Sequence, residues 1–206
     1  MVHIGILALQ GAFSEHQSIL ERLGVAVRLV RLPEQLDGLD GLILPGGEST
    51  TIGKLAVDFG LMEPLRTFAQ NHAMWGTCAG AIFLSRDARR AQPLLGLMDI
   101  TIQRNAFGRQ VDSFTTDLDV PALKEIDDSG KPFPGIFIRA PLIESVGSDA
   151  VVVARLSNGR IVASQQGRWL ATSFHPELTG DDRFHRYFLW MAAETNPILL
   201  YARGVG

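Results

Sequence analysis

Short apolar runs that end at glycine or proline alternate with helix-like segments through the first part of the chain. Such runs are typical of strands buried on both faces, as in a parallel sheet. They are Ile4 to Leu9, Val25 to Leu32, Gly41 to Leu44 and Ala73 to Trp75. Because helices between parallel strands must cover both sheet faces, the pattern predicts a doubly wound α/β fold, with a mainly parallel sheet flanked by helices.

The segments between these strands carry helix signals. Ser14 with Gln17 resembles a capping box and predicts the start of the first helix. A later apolar stripe at helical spacing consists of Leu61, Leu65 and Phe68. A further helix is expected to begin near Ala79, directly after the fourth strand.

The second half of the chain predicts shorter strands separated by turn residues. Met98, Ile100 and Ile102 alternate with polar residues, which is typical of a half-exposed strand. Other short strands are expected at Phe133 to Ile138, Val151 to Ala154, Ile161 to Ala163 and Trp169 to Phe174. These should add antiparallel strands and make the sheet mixed, and a helix with Phe184, Phe188 and Met191 on its apolar face should follow. No repeat or linker divides the chain, so residues 1–206 are expected to form one domain.

Composition excludes several function classes. The net charge of −3, with no long block of either sign, gives no support to nucleic-acid binding. A single cysteine cannot form an internal disulfide, and no apolar run approaches the roughly 18 residues of a membrane span. The first residues lack the basic region and cleavage site of a signal peptide. The chain is therefore expected to be a cytoplasmic protein that binds neither nucleic acid nor membranes.

The single cysteine lies in Gly76-Thr77-Cys78-Ala79-Gly80, between a predicted strand and a predicted helix. This is the setting of a nucleophile elbow, G-x-S-x-G, with cysteine in place of serine. The start of the following helix favours a thiolate, and the backbone N–H of Ala79 is placed to bind an oxyanion. A lone cysteine is more often a small buried apolar residue, but the two glycines and the strand-turn-helix context favour a nucleophile here.

A cysteine nucleophile needs a base, and the best candidate is His175, two residues before Glu177. If Pro176 keeps this segment extended, both side chains project from one face, so that Glu177 can orient the imidazole ring. The pair is a weak signal without Cys78, because a solvated turn would contain the same residues. The other histidines, His3, His16, His72 and His185, are alternatives for the base, and two of them fall within predicted helices.

Pro45-Gly46-Gly47-Glu48-Ser49 follows the third strand and should lie at the same carboxyl edge of the sheet as Cys78. Glycine lets backbone N–H groups approach a ligand, so Gly47 is a candidate second oxyanion donor. The spacing to Lys54 does not fit a phosphate-binding loop, and an ordinary turn with Ser49 as helix N-cap remains compatible.

Metal chemistry has little support, because paired cysteines and close histidine pairs are absent. Three aspartates that could serve as carboxylate ligands are better explained as part of a solvated loop. They are Asp112, Asp117 and Asp119. No metal site is predicted.

Three motifs in this order resemble those of the triad-type, or class I, glutamine amidotransferases. They are Pro45 through Ser49, Gly76 through Gly80, and Ser173-Phe174-His175-Pro176-Glu177. Further segments look like the branch formed by the glutaminase subunits of pyridoxal 5′-phosphate synthase, and the resemblance covers essentially the whole chain. These segments are Leu9-Gln10-Gly11, Pro45 through Thr51, Arg104 through Gln110 and Ile138-Arg139-Ala140-Pro141.

The resemblance implies hydrolysis of L-glutamine to glutamate and ammonia through a γ-glutamyl thioester, without a cofactor. Cys78 would be the nucleophile, His175 the base, and Glu177 the group that holds His175. The family pattern also carries glutamine binding onto Gly47, Glu48, Ser49, Arg104, Ile138 and Arg139. An arginine suits the carboxylate of glutamine and Glu48 suits its ammonium, although the pattern leaves open which arginine binds.

In that family the ammonia passes to a separate (β/α)₈-barrel synthase subunit, where pyridoxal 5′-phosphate is made. The resemblance places Gln10 near the interface with this partner. The loop from Lys124 to Pro134 departs from the family pattern because it is longer. Two alternatives keep the same elbow: an amidotransferase subunit or cysteine hydrolase serving a different reaction, and a non-catalytic α/β module with Cys78 as a redox sensor.

Overall fold

The computed structural model describes residues 2–104 and 113–193, and it confirms the predicted alternation of strands and helices. The strands β1 to β12 are, in chain order, His3–Leu7, Ala26–Val30, Gly41–Leu44, Ala73–Thr77, Ser85–Asp87, Met98–Gln103, Ser113–Leu118, Phe133–Ile138, Leu142–Val146, Val151–Arg155, Ile161–Gln166 and Trp169–Thr172. The helices α1 to α5 are Phe13–Arg22, Ser49–Asp58, Met62–Ala69, Ala79–Leu84 and Arg183–Ala193. Short 3₁₀ turns lie at Pro33–Leu36, Pro121–Glu125 and Pro176–Leu178.

One ten-stranded mixed sheet organises the molecule. Its order is β2-β1-β3-β4-β12-β11-β9-β6-β5, and β10 pairs with β11 outside this path. The strands from β2 to β12 along this order run parallel, whereas β11 is antiparallel to β12, β10 and β9. Because β1, β3, β4 and β12 are parallel neighbours, their carboxyl ends meet at one edge.

Apolar side chains cover both faces of this sheet. One face packs against α2, α3 and α4, where Ile52, Leu65 and Phe83 are buried. The other packs against α1 and α5, which contribute Leu20 and Phe188. Helices on both faces of a mainly parallel sheet confirm the predicted fold class. No helix within the described ranges is long and apolar enough to cross a membrane.

The strand at Phe133–Ile138 does not join the main sheet, which corrects the prediction. It pairs with β7 in a separate antiparallel two-stranded sheet. Phe133 and Phe137 point inward, and their rings lie 4.7 Å from that of Phe184 and 5.6 Å from that of Phe174, respectively. Apolar alternation predicted a strand here, but it carried no information about the pairing partner.

The predicted capping box of the first helix is wrong. Helix α1 begins at Phe13, and its N-cap, Ala12, provides no side-chain hydrogen bond. Instead the Ala12 N–H donates to the Gly46 carbonyl at 2.9 Å, while the Ser14 hydroxyl lies inside the helix and donates to Glu15. A tertiary contact with the loop after β3 therefore sets the start of this helix.

Candidate active site

Loops that follow four parallel strands surround a cleft of about 390 Å³ at the carboxyl edge of the sheet. Gly11 follows β1, Gly47 follows β3, Cys78 follows β4 and His175 follows β12. All four residues line the cleft. Residues far apart in sequence are thus brought to one place by strand order.

The backbone at Cys78 has φ 48° and ψ −105°, a left-handed conformation that is strained for a residue with a side chain. The Cys78 N–H donates to the Thr172 carbonyl of β12 at 2.8 Å. A Cβ atom at Gly76 would lie 2.5 Å from the Gly80 carbonyl oxygen, and one at Gly80 would lie 1.8 Å from the Leu44 oxygen. The sharp turn predicted between β4 and α4 is confirmed, and glycines on both sides are needed for it.

His175 and Glu177 are in contact, but the extended backbone expected between them is wrong. Residues Pro176–Leu178 form a 3₁₀ turn after β12, and it places Glu177 Oε1 2.7 Å from His175 Nδ1. The His175 N–H donates to the Ile136 carbonyl of β8 at 2.8 Å, which ties the small sheet to the site. Because Nδ1 faces the carboxylate, Nε2 is the ring nitrogen left for Cys78.

The charge on His175 is stabilised by both neighbours. Burial favours the neutral ring, but hydrogen bonds with Cys78 and Glu177 and the charges of both outweigh it and raise the pKa of His175 to about 10. The ring therefore retains its proton at neutral pH. A thiolate paired with a protonated imidazole can both attack a carbonyl carbon and protonate a leaving group.

The glycine loop after β3 is held from two sides. The Gly46 carbonyl accepts from Ala12, and the Glu48 N–H donates to the Gln10 side chain at 2.7 Å. A Cβ atom at Gly46 would lie 2.6 Å from the His175 ring, so only glycine fits there. Gly47 and Ala79, the first residue of α4, both line the cleft.

Glu48 and Arg104 form an ion pair of 2.7 Å at the cleft. Glu48, not Ser49, is the N-cap of α2, because its carboxylate accepts from the Thr51 N–H at 2.7 Å. Partial burial would raise the pKa of Glu48, but hydrogen bonds from Thr51, Thr50 and Arg104 lower it to about 2. Ser49 is instead the first residue of α2 and contacts the Gln92 side chain.

Ile138 and Arg139 form the wall of the cleft contributed by the small sheet. Ile138 ends β8 with 39% of its surface exposed, which is high for an apolar residue. Arg139 has φ 42°, a strained backbone conformation at the bend between β8 and β9. Both predicted substrate-binding residues therefore lie at the cleft.

The aspartates considered as metal ligands lie elsewhere. Asp117 lies within β7 and is exposed, so the expectation that it belongs to a loop is wrong. Asp119 follows this strand and is also exposed, and Asp112 lies outside the described residues. Within residues 2–104 and 113–193, no group of three or more metal-ligating side chains is placed to hold an ion.

The sequence of this chain matches that of a known protein family. Residues 6–194 match the family described as SNO glutamine amidotransferase. This chain belongs to the SNO glutamine amidotransferase family.

Relatives of this SNO-family chain match it over nearly their whole length. Two are named "Pyridoxal 5'-phosphate synthase subunit PdxT". The protein from Herpetosiphon aurantiacus is 58% identical over 191 residues, covering 90% of this chain and 98% of the relative. The protein from Deinococcus radiodurans is 57% identical over 198 residues, covering 93% and 97%. A crystal structure described as a glutamine amidotransferase is 49% identical, with a TM-score of 0.85 and coverage of 92% and 98%.

Two buried histidines of this SNO-family chain lie behind Glu177, although the sequence indicates them only as alternative bases. His16 on α1 and His185 on α5 are both fully buried, with His16 Nδ1 2.9 Å from His185 Nε2. His16 Nε2 lies 3.5 Å from Glu177 Oε2, on the side of the carboxylate away from His175. Since the two histidines are 169 residues apart, no local spacing could have revealed their contact.

Proposed function

We propose that this protein hydrolyses L-glutamine to L-glutamate and ammonia as the glutaminase subunit of a pyridoxal 5′-phosphate synthase. The observation that carries this proposal is an array in a SNO-family chain: Cys78, on a strained turn, shares the cleft with His175, which is hydrogen-bonded to Glu177. Relatives more than 50% identical over nearly all of their length bear that subunit's name.

The first half of the reaction forms a thioester. The Cys78 thiolate attacks the side-chain amide carbon of glutamine, and the backbone N–H groups of Gly47 and Ala79 stabilise the oxyanion. His175 then donates its proton to the amide nitrogen, the C–N bond breaks, and ammonia leaves. Glu177 keeps the imidazole oriented throughout this step, since its carboxylate holds Nδ1.

The second half releases glutamate. Once the sulfur is acylated it no longer carries the charge that raised the pKa of His175, so the neutral ring becomes available as a base. His175 takes a proton from water, the resulting hydroxide attacks the thioester, and the C–S bond breaks. The products are glutamate, whose new γ-carboxyl group loses its proton to the solvent, and the regenerated thiolate–imidazolium pair.

Glutamine recognition uses the charges at the mouth of the cleft. Glu48, with its low pKa, is ionised at neutral pH and suits the substrate ammonium, while the Arg104 guanidinium suits the α-carboxylate. The two side chains already form an ion pair, so the ammonium and the α-carboxylate of glutamine would bind between them. Ser49, Ile138 and Arg139 complete the surroundings of the substrate.

The ammonia is then used by a (β/α)₈-barrel synthase subunit, with Gln10 near the interface between the two proteins. Gln10 directly holds the loop that carries Gly47, so a contact at this residue can influence the oxyanion site. The protein itself needs no cofactor for glutamine hydrolysis, and it is expected to act in the cytoplasm.

The decisive experiment measures glutamate released from glutamine by the chain alone and with a barrel synthase subunit. Release should be strong with the partner and abolished by Cys78→Ala. Addition of a pentose phosphate and a triose phosphate to the complete mixture should yield pyridoxal 5′-phosphate. Absence of glutamate with the partner, or an unchanged rate for Cys78→Ala, would refute the proposal.

A further inference from the structure

The carboxylate of Glu177 is satisfied on one side only. Oε1 accepts from His175, but Oε2 is buried and has no hydrogen-bond partner among the described residues. A buried charged oxygen without a donor is costly, so a nearby N–H group is valuable. His16 Nε2 lies 3.5 Å from Oε2, and both side chains are completely buried.

The contact between the two buried histidines decides which nitrogen of His16 bears a proton. His16 Nδ1 and His185 Nε2 are 2.9 Å apart, so one hydrogen lies between them. If His185 donates it, the proton of His16 is on Nε2 and faces Glu177 Oε2 and the Thr77 hydroxyl, which is 3.3 Å away. If His16 donates it, Nε2 turns a lone pair towards a carboxylate, which is repulsive.

A second observation favours the same arrangement. His185 Nδ1 is buried and has no partner among the described residues. When His185 donates from Nε2, this Nδ1 carries no proton and is an unpaired acceptor. In the reverse arrangement, His185 Nδ1 would be a buried N–H group without an acceptor, and His16 Nε2 would turn its lone pair towards Glu177. Both costs are avoided when each of the two rings carries its proton on Nε2.

The surroundings keep both rings neutral. Burial is the main cause that lowers the pKa of His16 well below its ordinary value, and the charge of protonated His175 adds to it. Burial and then the Arg22 charge lower the pKa of His185 to about 3. Trp75 packs against both rings in T-shaped geometry, with its ring centroid 5.5 Å from that of His16 and 5.0 Å from that of His185. A neutral donor orients Glu177 without cancelling the negative charge that stabilises protonated His175.

We infer that His16 and His185 are positioning residues of the active site. His185 fixes the tautomer of His16, and the Nε2–H group of His16 orients the Glu177 carboxylate that holds His175. The series of side-chain contacts behind His175 thus extends from Glu177 to His16 on α1 and His185 on α5. The kinetic part of this inference rests on the proposed glutaminase function, whereas its structural part does not.

The tautomer can be read directly in the unaltered protein. The full chain, labelled with ¹⁵N-histidine, has five histidines to assign by long-range ¹H–¹⁵N correlation NMR. The spectrum should show protons on Nε2 of His16 and on Nε2 of His185. A proton on Nδ1 of His16 would overturn the inference, whether or not the protein hydrolyses glutamine.

Kinetics of two amide variants test the consequence for the reaction. In His16→Gln the amide nitrogen can occupy the position of Nε2, whereas in His16→Asn it reaches only that of Nδ1. With the synthase subunit present, His16→Asn should lower kcat by about 10- to 100-fold, with little change in KM. Removing a group that orients a metal-bound histidine has an effect of this size. His16→Gln should recover most of that loss, and His72→Asn, on a half-buried histidine of another surface, serves as the control.

Equal activity of the two amide variants, whether high or low, would show that His16 is only a core residue. If neither variant folds, the tautomer measurement still decides the question. If the unaltered complex releases no glutamate, the proposed function fails, and the tautomer result remains a separate test of the inference.

Discussion

The charge state of His175 depends on the sulfur atom beside it. Burial lowers the pKa of this ring, and Cys78 and Glu177 raise it to about 10. Because the folded-state pKa exceeds the ordinary value of about 6.5, the charged ring stabilises the fold fully below that pH. This contribution is lost as the pH rises from about 6.5 through about 10.

Cys78→Ala should therefore lower the pKa of His175. The variant removes the hydrogen bond and charge of the thiolate but leaves burial, which favours the neutral ring. Titration of the His175 ring signals by NMR, in both proteins, measures the change. An unchanged midpoint for His175 would show that the thiolate does not hold its proton.

His175→Asn tests the proton-transfer role. The amide cannot exchange a proton with the sulfur or with ammonia, so kcat should fall by about 10²- to 10⁴-fold, whereas KM for glutamine should change little. Steady-state glutamate release with the synthase subunit measures both constants. Turnover comparable to that of the unaltered protein would rule out His175 as the base.

Arg104→Ala tests recognition of the glutamine carboxylate. Loss of a charge-assisted hydrogen bond costs about 1.5–3 kcal/mol, which corresponds to a rise in KM of about 10- to 150-fold. Arg86→Ala is the matched control, since Arg86 is an exposed partner of Asp99 and does not line the cleft. An unchanged KM for Arg104→Ala would transfer carboxylate binding to another group, with Arg139 as the next candidate.

At the scale of the elements, the close approach of α4 to β3 makes the sharp turn possible. Gly80 lies against the Leu44 backbone, which cannot move without disturbing the centre of the sheet. The same approach holds Cys78 at the edge of the cleft. The packing of α4 and the position of Cys78 therefore both depend on the lack of a side chain at Gly80.

Gly80→Ala should destabilise the protein and reduce its activity. A Cβ atom would lie 1.8 Å from the Leu44 oxygen, so α4 must shift, at a cost of roughly 1–3 kcal/mol or more. Urea unfolding measures the loss of stability. Gly180→Ala is the control, because a Cβ atom there has no neighbour within 4 Å. Equal stability of the two variants would contradict the packing argument.

The small sheet of β7 and β8 also helps to shape the cleft. It does not extend the main sheet, and instead its β8 strand accepts a hydrogen bond from His175 and ends at the cleft wall. Phe133 and Phe137 anchor it to the aromatic core under α5. A separate hairpin can thus shape the cleft without interrupting the parallel strands that carry the catalytic array.

At the scale of the whole molecule, Gln10 connects the loop after β1 with the loop after β3. Gln10→Ala removes the acceptor for the Glu48 N–H, and one such hydrogen bond contributes about 0.5–1.5 kcal/mol. Glutamate release with the synthase subunit should therefore fall roughly 2- to 10-fold. Gln17→Ala, whose side chain contacts Glu21 on the exposed face of α1, is the control. Equal rates for the two variants would show that this hydrogen bond does not support the oxyanion loop.

Local sequence patterns predicted much of the fold. The strand at Gly41–Leu44 agrees with the structure to the residue, and α4, predicted to begin near Ala79, does begin there, because apolar runs and glycine turns are local signals. Predictions failed where the outcome depended on distant contacts. The start of α1 depends on the Gly46 carbonyl, and the pairing of β8 depends on β7.

The sequence by itself determined the turn chemistry around Cys78, the alternation that makes an α/β sheet, and the motifs shared with a family. It also predicted that His175 and Glu177 act together, but for the wrong reason, since a 3₁₀ turn joins them. Only the tertiary structure decided that Glu48 pairs with Arg104 and that His16 and His185 lie behind Glu177. Spacing along the chain encodes local geometry, whereas contacts between distant elements depend on strand order and helix packing.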